Sequence, residues 1–556
     1  MQFKDVGAFL SGHPRAKAQA AEGTNVNRLK VQVWSRERQD HQRAYREHAF
    51  KLDQMVPDRG VVDKLLDLYL STFETTYRIL HIPTFMQQYE DYWMQPHNTD
   101  MAFLAKLLAL MAISSCFYIP ATKLDGTESL HQAAARWIVA VQSWVTSVFV
   151  GSNINFDILQ VQCLLMIARQ ADSTDGDAAW ITAGPLTRSA MMMGLHRDPR
   201  RFPHISKFWA EMRRRLWAAI VELDLQSSVD GGMPPFIDLD ECDCDAPSSW
   251  DDLDLREDMV DDPPPREPVV ATRADFQAIF ARSLPVRMRI TKLVNSLKFT
   301  LSYDEALRLS DELVRSMDEG VAFYDRYGPG MGFAKSFFMF LMRRYLLMVH
   351  RPFGLSVWQS PKFTYSRKLC LESSMEILSQ LEADESYAHL GQLGGGMFRY
   401  EFFHAAITVC VELRLQIEEV SPASHRSSLT DLVQSQQSVM LRAVERTIEA
   451  LESRISAAGK GCKAFIFLSL VYASVKAYLS GEDALKAVGE VSNRVVAHCK
   501  KLMNEVPWEE FQEHNKVCYR QPLRCLRFML TVQTPLVNTP ALDPALPMDL
   551  SDLSVR

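Results

Sequence analysis

Three histidines, His81, His196 and His204, stand close in sequence to arginines or acids. An imidazole with its ordinary pKa of about 6.5 is suited to moving protons near neutrality. Acid–base work also needs a nucleophile or an orienting carboxylate, and none is recognisable around these three. The sequence has no Gly-x-Ser-x-Gly turn, no His-Glu-x-x-His pair, no dinucleotide fingerprint and no phosphate loop. The nearest approach, AAGKGCK at Ala457–Lys463, lacks the earlier glycine of a phosphate loop. No catalytic residue is assigned, and His81, just before Ile82-Pro83, is expected to cap or fix a turn.

Arg213, Arg214 and Arg215 offer different chemistry, as three consecutive guanidinium groups beside Trp217. Such groups hold carboxylates, carbonyls or phosphates through forked hydrogen bonds. Trp209, Met212, Leu216, Ile220 and Leu223 recur at steps of three or four, the spacing of a buried stripe on one helix. On that register Arg213, Trp217, Val221 and Asp224 form the adjacent stripe, Arg214 points outward and Arg215 lies on a flank. A guanidinium facing the core must meet an acid, because an unpaired buried charge is strongly destabilising. Glu222, Asp224 and acids of neighbouring segments are the candidates. The arginines are therefore expected to hold the architecture together, with an anionic effector site as the functional alternative.

The helices that position this triplet carry their own punctuation. Gly194 is expected to end the preceding helix in the left-handed conformation, with Leu195 packing back on its last turn. Pro185 should kink that helix or start it. Gly231-Gly232 and Pro234-Pro235 should end the arginine helix. The methionines of MMMGL, Met191–Leu195, read as adaptable core packing.

The 556 residues, 47% of them apolar and 23% charged, have a globular profile. A net charge of −7 assigns no DNA or membrane affinity to the chain as a whole, so such contact needs a local patch. Residues 1–20 hold no long apolar core, so no secretory leader is expected. The uncharged run Trp137–Phe156 is too polar to span a bilayer, and no membrane association is expected. Ten scattered cysteines fit reduced thiols. Residues 1–55 read as a basic, partly flexible segment, 56–530 as one all-helical body, and 531–556 as an irregular Pro-rich tail. The body is interrupted at 238–268 by an acidic, Pro-rich loop. Its first part, Asp238–Asp262, has twelve acids against one arginine and reads as a solvated insertion, with an amphipathic activation segment as the alternative. The fold class is all-α.

In order along the chain stand His81, Pro83 and Phe85 of YRILHIPTF; Trp180, Gly184 and Arg188; then Gly194, Leu195, His196, Arg197 and Asp198 of GLHRDP. Arg213, Arg214, Arg215 and Trp217 of RRRLW follow, then Asp224, Pro234 of GGMPP, and His350, Arg351, Pro352 and Phe353 of HRPF. This ordered pattern resembles the regulatory, fungal-specific transcription factor domain of fungal zinc-cluster proteins, over roughly residues 56–400. The resemblance implies a helical domain that restrains or licenses transcription, acts in the nucleus and is often dimeric. It identifies the residues just named as structural or effector-contacting positions. Such proteins normally carry six cysteines near the N-terminus, which hold two zinc ions and place a helix in the major groove. Here no cysteine precedes Cys116 and no Cys-x-x-Cys occurs. The chain is expected to bind no cofactor, with zinc entering only through a cluster outside it. DNA would be reached indirectly or through such a module. The expected role is regulation of a metabolic or secondary-metabolite gene set, by pairing as a homodimer or with a related factor, with or without a small-molecule effector. A pathway enzyme or small-molecule-binding accessory protein on the same fold is the alternative, and an inhibitory partner of a longer relative is a third reading.

Overall fold

Among the described residues of the computed structural model, apolar residues at three- and four-residue spacing fold as helices and there is no β-strand. The structure describes residues 52–505 except 97–98, 119–128, 151–153, 173–178, 203, 264–274, 299–300, 328–331, 355, 357–359, 384–400, 420–426 and 459–460. The tail at 531–556 and nearly all of the basic segment at 1–55 lie outside the described residues.

The apolar positions from Leu65 to Tyr77 lie on two helices that meet at Thr72, α1 (Arg59–Ser71) and α2 (Phe73–Tyr77). Arg78 ends α2 in the left-handed conformation, φ 50°, which few residues other than glycine adopt. Pro83 occupies the first turn of α3 (Ile82–Met94), where its missing N–H costs no helical bond. Helix α4 (Met101–Ser114), capped by the Asp100 carboxylate on Ala102 N, is buried along its whole length from Ala102. It packs against α1, α5 (Leu130–Val150) and α6 (Phe156–Ala171).

Helix α7 (Ala179–Met192) packs on the arginine helix α8 (Lys207–Gly231). Pro185 lies inside α7, neither ending nor starting it. The carbonyl that loses its donor belongs to Ile181, which is 68% exposed and open to water. Gly194 ends this segment at φ 72°, and Leu195 N–H reaches back to Ala190 O at 3.0 Å with its side chain fully buried. Met192 is solvent-facing at 73% exposure, so the methionine run is core only in part.

Beyond residue 232 the chain runs back over the arginine helix as a strap, described to residue 263. It is followed by α9 (Asp275–Arg282), α10 (Leu284–Val294), α11 (Tyr303–Tyr327), α12 (Gly332–Gly354), α13 (Thr364–Ala383) and α14 (Glu401–Glu419). Then come α15 (Ser427–Ala458), α16 (Cys462–Ser480) and α17 (Ala484–Glu505). One apolar cluster runs from Leu52 to Cys499 through both halves. Helix α16 is long and apolar enough to cross a membrane, and here it packs against α14, α15 and α17.

Across the middle of the molecule, the buried Arg344 of α12 joins Asp230 at the end of α8 to Glu401 at the start of α14, the latter at 2.7 Å. Its charge is what makes the approach of two carboxylates tolerable in a low-dielectric interior. Arg344→Leu should therefore destabilise the protein by about 3–5 kcal/mol, with Arg344→Lys recovering part of the loss, as read from urea denaturation followed by circular dichroism.

Candidate functional site

Successive residues of a helix point about 100° apart, so three consecutive arginines face three directions. Arg213 Nη2 donates to Met193 O at 2.9 Å, closing the end of α7 onto α8. Arg214 donates to Asp198 from Nη2 at 3.1 Å and from Nε at 3.3 Å. Arg215, expected on a flank, is fully buried, and it is the centre of the site. Its Nε donates to Glu211 at 3.0 Å, its Nη1 to Asp252 at 2.6 Å and its Nη2 to Trp250 O at 2.6 Å. Trp209, expected in the buried stripe, is 41% exposed, because Met212, Leu216, Ile220 and Leu223 already complete that face.

The strap is not the solvated insertion that its composition suggests. Asp252 is 3% exposed and shares its Oδ1 between Arg215 and the fully buried Arg78, while Oδ2 accepts Ile82 N–H at 2.9 Å. The Ile82 N–H opens α3, where the helix end favours negative charge. His81 makes no backbone cap, since Nδ1 meets Thr84 Oγ1 at 2.7 Å and Nε2 meets Asp252 O at 3.0 Å. Glu211 accepts Ser248 N–H at 3.1 Å, and Asp198 accepts Asp245 N–H at 3.2 Å. His196 O accepts the N–H groups of Asp243 and Cys244 at 3.1 and 3.2 Å. A small apolar cluster of Phe208, Met212 and Leu255, separate from the main core, completes the docking.

The remaining expected positions divide into three groups. Asp224, 1% exposed, accepts Phe236 and Ile237 N–H at 3.0 and 3.1 Å and so turns the chain after Pro234. Pro234 O in turn accepts Trp180 Nε1–H at 3.0 Å. The guanidinium of Arg188 lies 4.4 Å from the Phe236 ring centre, and a Cβ on Gly184 would stand 3.1 Å from Arg188 Nη1, a tight approach to that side chain. Arg197 stacks over Phe202, Trp217 is buried with His196 6.2 Å away, and Phe85 packs on Phe103. The HRPF segment lies apart from the strap. His350 bonds Ser366 Oγ at 2.9 Å, Phe353 packs against Tyr303, and Arg351 and Pro352 belong to the last turn of α12. Glu222, expected beside the arginine triplet, instead pairs with Arg287 at 2.8 Å.

Arg78, Glu74, Glu211 and Asp252 were not singled out by the sequence reasoning. The one available signal is Arg78 itself, a charge inside the apolar run Tyr77–Leu80 just before a proline-opened helix. Among the described residues no three His, Cys, Asp or Glu side chains converge at metal-ligand spacing, and Cys242 and Cys244 are free and half-buried. These residues do not fit a zinc cluster.

Electrostatics follow burial and pairing. Burial opposes ionisation of Asp252, but the charges of Arg78 and Arg215 outweigh it and hold the carboxyl below the ordinary carboxylate range. Burial raises Glu74 to about 7, although Arg78 and the bonds from Leu80 N–H and Tyr69 OH oppose the shift. Burial likewise raises Asp224 to about 6. A carboxyl raised on folding gives stability that is complete below its unfolded pKa and is lost as pH rises through the folded value. For Glu74 that window runs from 4.5 to about 7. Asp252, whose shift is downward, works in the opposite sense: its stabilisation is complete above its unfolded pKa and is lost as pH falls through the lower folded value. Glu74→Gln, which stays neutral, should gain on the unaltered protein by on the order of 2–3 kcal/mol between about pH 5 and about pH 8, as measured by paired denaturation curves.

With this geometry in view, comparison with known proteins is informative. Residues 66–317 match the model of the fungal specific transcription factor domain, a span that holds α2, α3, the arginine helix and the strap. The chain is 33% identical over 475 residues to "Transcription factor opdR" of Penicillium oxalicum, covering 81% of this chain and 59% of that protein. It is 30% identical to "Transcription factor lepE" of Aspergillus flavus, over 79% of this chain and 54% of the relative. With "Aspyridones cluster regulator apdR" of Emericella nidulans it shares 28% identity, over 68% of this chain and 51% of the relative. The chain thus spans about half the length of the curated relatives it matches. Through its residues 66–317 this chain belongs to the proteins that carry a fungal specific transcription factor domain.

Proposed function

We propose that the chain is the helical regulatory part of a transcription regulator controlling a fungal secondary-metabolite gene set in the nucleus. The observation that carries this reading is the coincidence of the family span, 66–317, with the polar clamp that joins α2, α3, α8 and the strap into one body. Relatives over the same region include a protein named for its control of the aspyridones cluster. The geometry is that of a scaffold: both ring nitrogens of His81 are engaged in structural bonds, and each guanidinium of the triplet binds an acceptor within the fold. DNA would be reached through a further module or a related factor, and pairing with a second copy or such a factor would couple the two. A small-molecule effector would act on this domain.

Deleting the gene in its host should lower, or for a repressor raise, the transcripts of one biosynthetic gene set together, as read by RNA sequencing. Re-expression of the full-length gene should restore them. Unchanged transcripts with accumulation of a pathway intermediate would overturn the reading in favour of an accessory enzyme.

A further inference from the structure

Asp252 is held as a ligand is held. Its carboxylate receives two guanidinium groups, from Arg78 and Arg215, both fully buried, and one N–H from the opening turn of the 13-residue helix α3. These donors come from α2's end, α3 and α8, all of them outside the strap. Two further donors in the same pocket, Arg78 Nε and Nη1, are buried and make no hydrogen bond to any side chain or backbone acceptor. A buried donor left unmade is costly, so a pocket with more donors than its occupant can use fits an occupant with more acceptors. Without Asp252 the surroundings hold Arg78 and Arg215 against Glu211 and Glu74, and both guanidinium groups lose the carboxylate they share. On either side of Asp252 the strap is held by main-chain bonds, Ser248 N–H donating to Glu211 and Trp250 O accepting from Arg215, while Leu253 is 80% exposed and Leu255 lies in the small apolar cluster with Phe208 and Met212.

We propose that Arg78, Arg215 and the N-terminus of α3 form an oxyanion-binding site, that Asp252 is its internal occupant, and that a small tetrahedral oxyanion of the phosphate class displaces Asp252 and undocks the strap. Four acceptor oxygens use the Arg78 donors that a carboxylate leaves idle, and release of the strap uncovers the buried site. The pocket is independent of the transcriptional reading, because binding and strap release are measured on the isolated protein.

The test uses the full chain with Asp252→Gly, which empties the site, and Asp252→Asn as a milder companion that keeps the shape. Thermal midpoints are recorded against inorganic phosphate, with formate and chloride at matched ionic strength as controls. Hydrogen exchange of residues 243–255 is followed in the unaltered protein. The expected result is a saturating rise of a few degrees for Asp252→Gly in phosphate, smaller in formate and absent in chloride. Faster exchange of the strap amides of the unaltered protein in phosphate is expected at the same time. Identical responses to phosphate and chloride in both variants would overturn the site. A phosphate response in the variants with unchanged strap exchange in the unaltered protein would overturn the displacement.

Discussion

The Asp252 carboxylate, shared between Arg78 and Arg215 in the interior, is the contact on which the surrounding structure depends. Removing two guanidinium groups and a carboxylate from water is costly, and further bonds to these groups offset that cost. Here Arg215 engages Glu211, Asp252 and Trp250 O, and the second oxygen of Asp252 takes the Ile82 N–H. The arrangement therefore requires the left-handed turn at Arg78, the first turn of α3, the face of α8 and the strap all to be in place together. Loss of any one leaves a buried charge exposed to the full desolvation cost.

The arginine triplet makes the same point along a helix. Because neighbouring residues diverge by about 100°, Arg213 closes the end of α7, Arg214 holds Asp198 of the connecting turn, and Arg215 holds the strap. Three separate segments are gathered by three adjacent residues. Asp198 then extends the network, since it accepts from Arg200, Arg214 and the Asp245 backbone at once. The second half of the molecule is attached by a different device, the Asp230–Arg344–Glu401 bridge at the far end of α8. Helix α8 thus meets the strap near its start and the later helices at its end.

What the sequence disclosed and what it concealed follow from the range of the forces involved. Helices, the left-handed stop at Gly194 and the end of α8 at Gly232 were legible, because apolar spacing and glycine conformation are local. The break at Thr72 was not, since no glycine or proline marks it, and Pro185 left open whether α7 runs through it or begins there. The orientation of the triplet was misread for Arg215. Its burial is set by Glu211 one turn back and by Asp252 37 residues ahead, a partner that composition cannot distinguish among twelve acids. The same twelve acids suggested a solvated loop. Composition averages over the segment, whereas one buried carboxylate decides where the segment lies.

Polar docking also gives the strap something that apolar docking would not. A leucine against a helix face tolerates a slip of one residue at modest cost, since any similar side chain fills the space. The Arg78–Arg215 pocket accepts only an anion. A slip that brought Leu253 to the place of Asp252 would take from both buried guanidinium groups the carboxylate they share, leaving Arg215 with Glu211 alone and Arg78 without its side-chain acceptor. A slip the other way offers Asp251, but it draws Trp250 O away from Arg215 and Leu255 out of its cluster with Phe208 and Met212. Only one register satisfies the charge, the carbonyl and the apolar cluster at once. Of the twelve acids, the one that is buried determines the place of the strap.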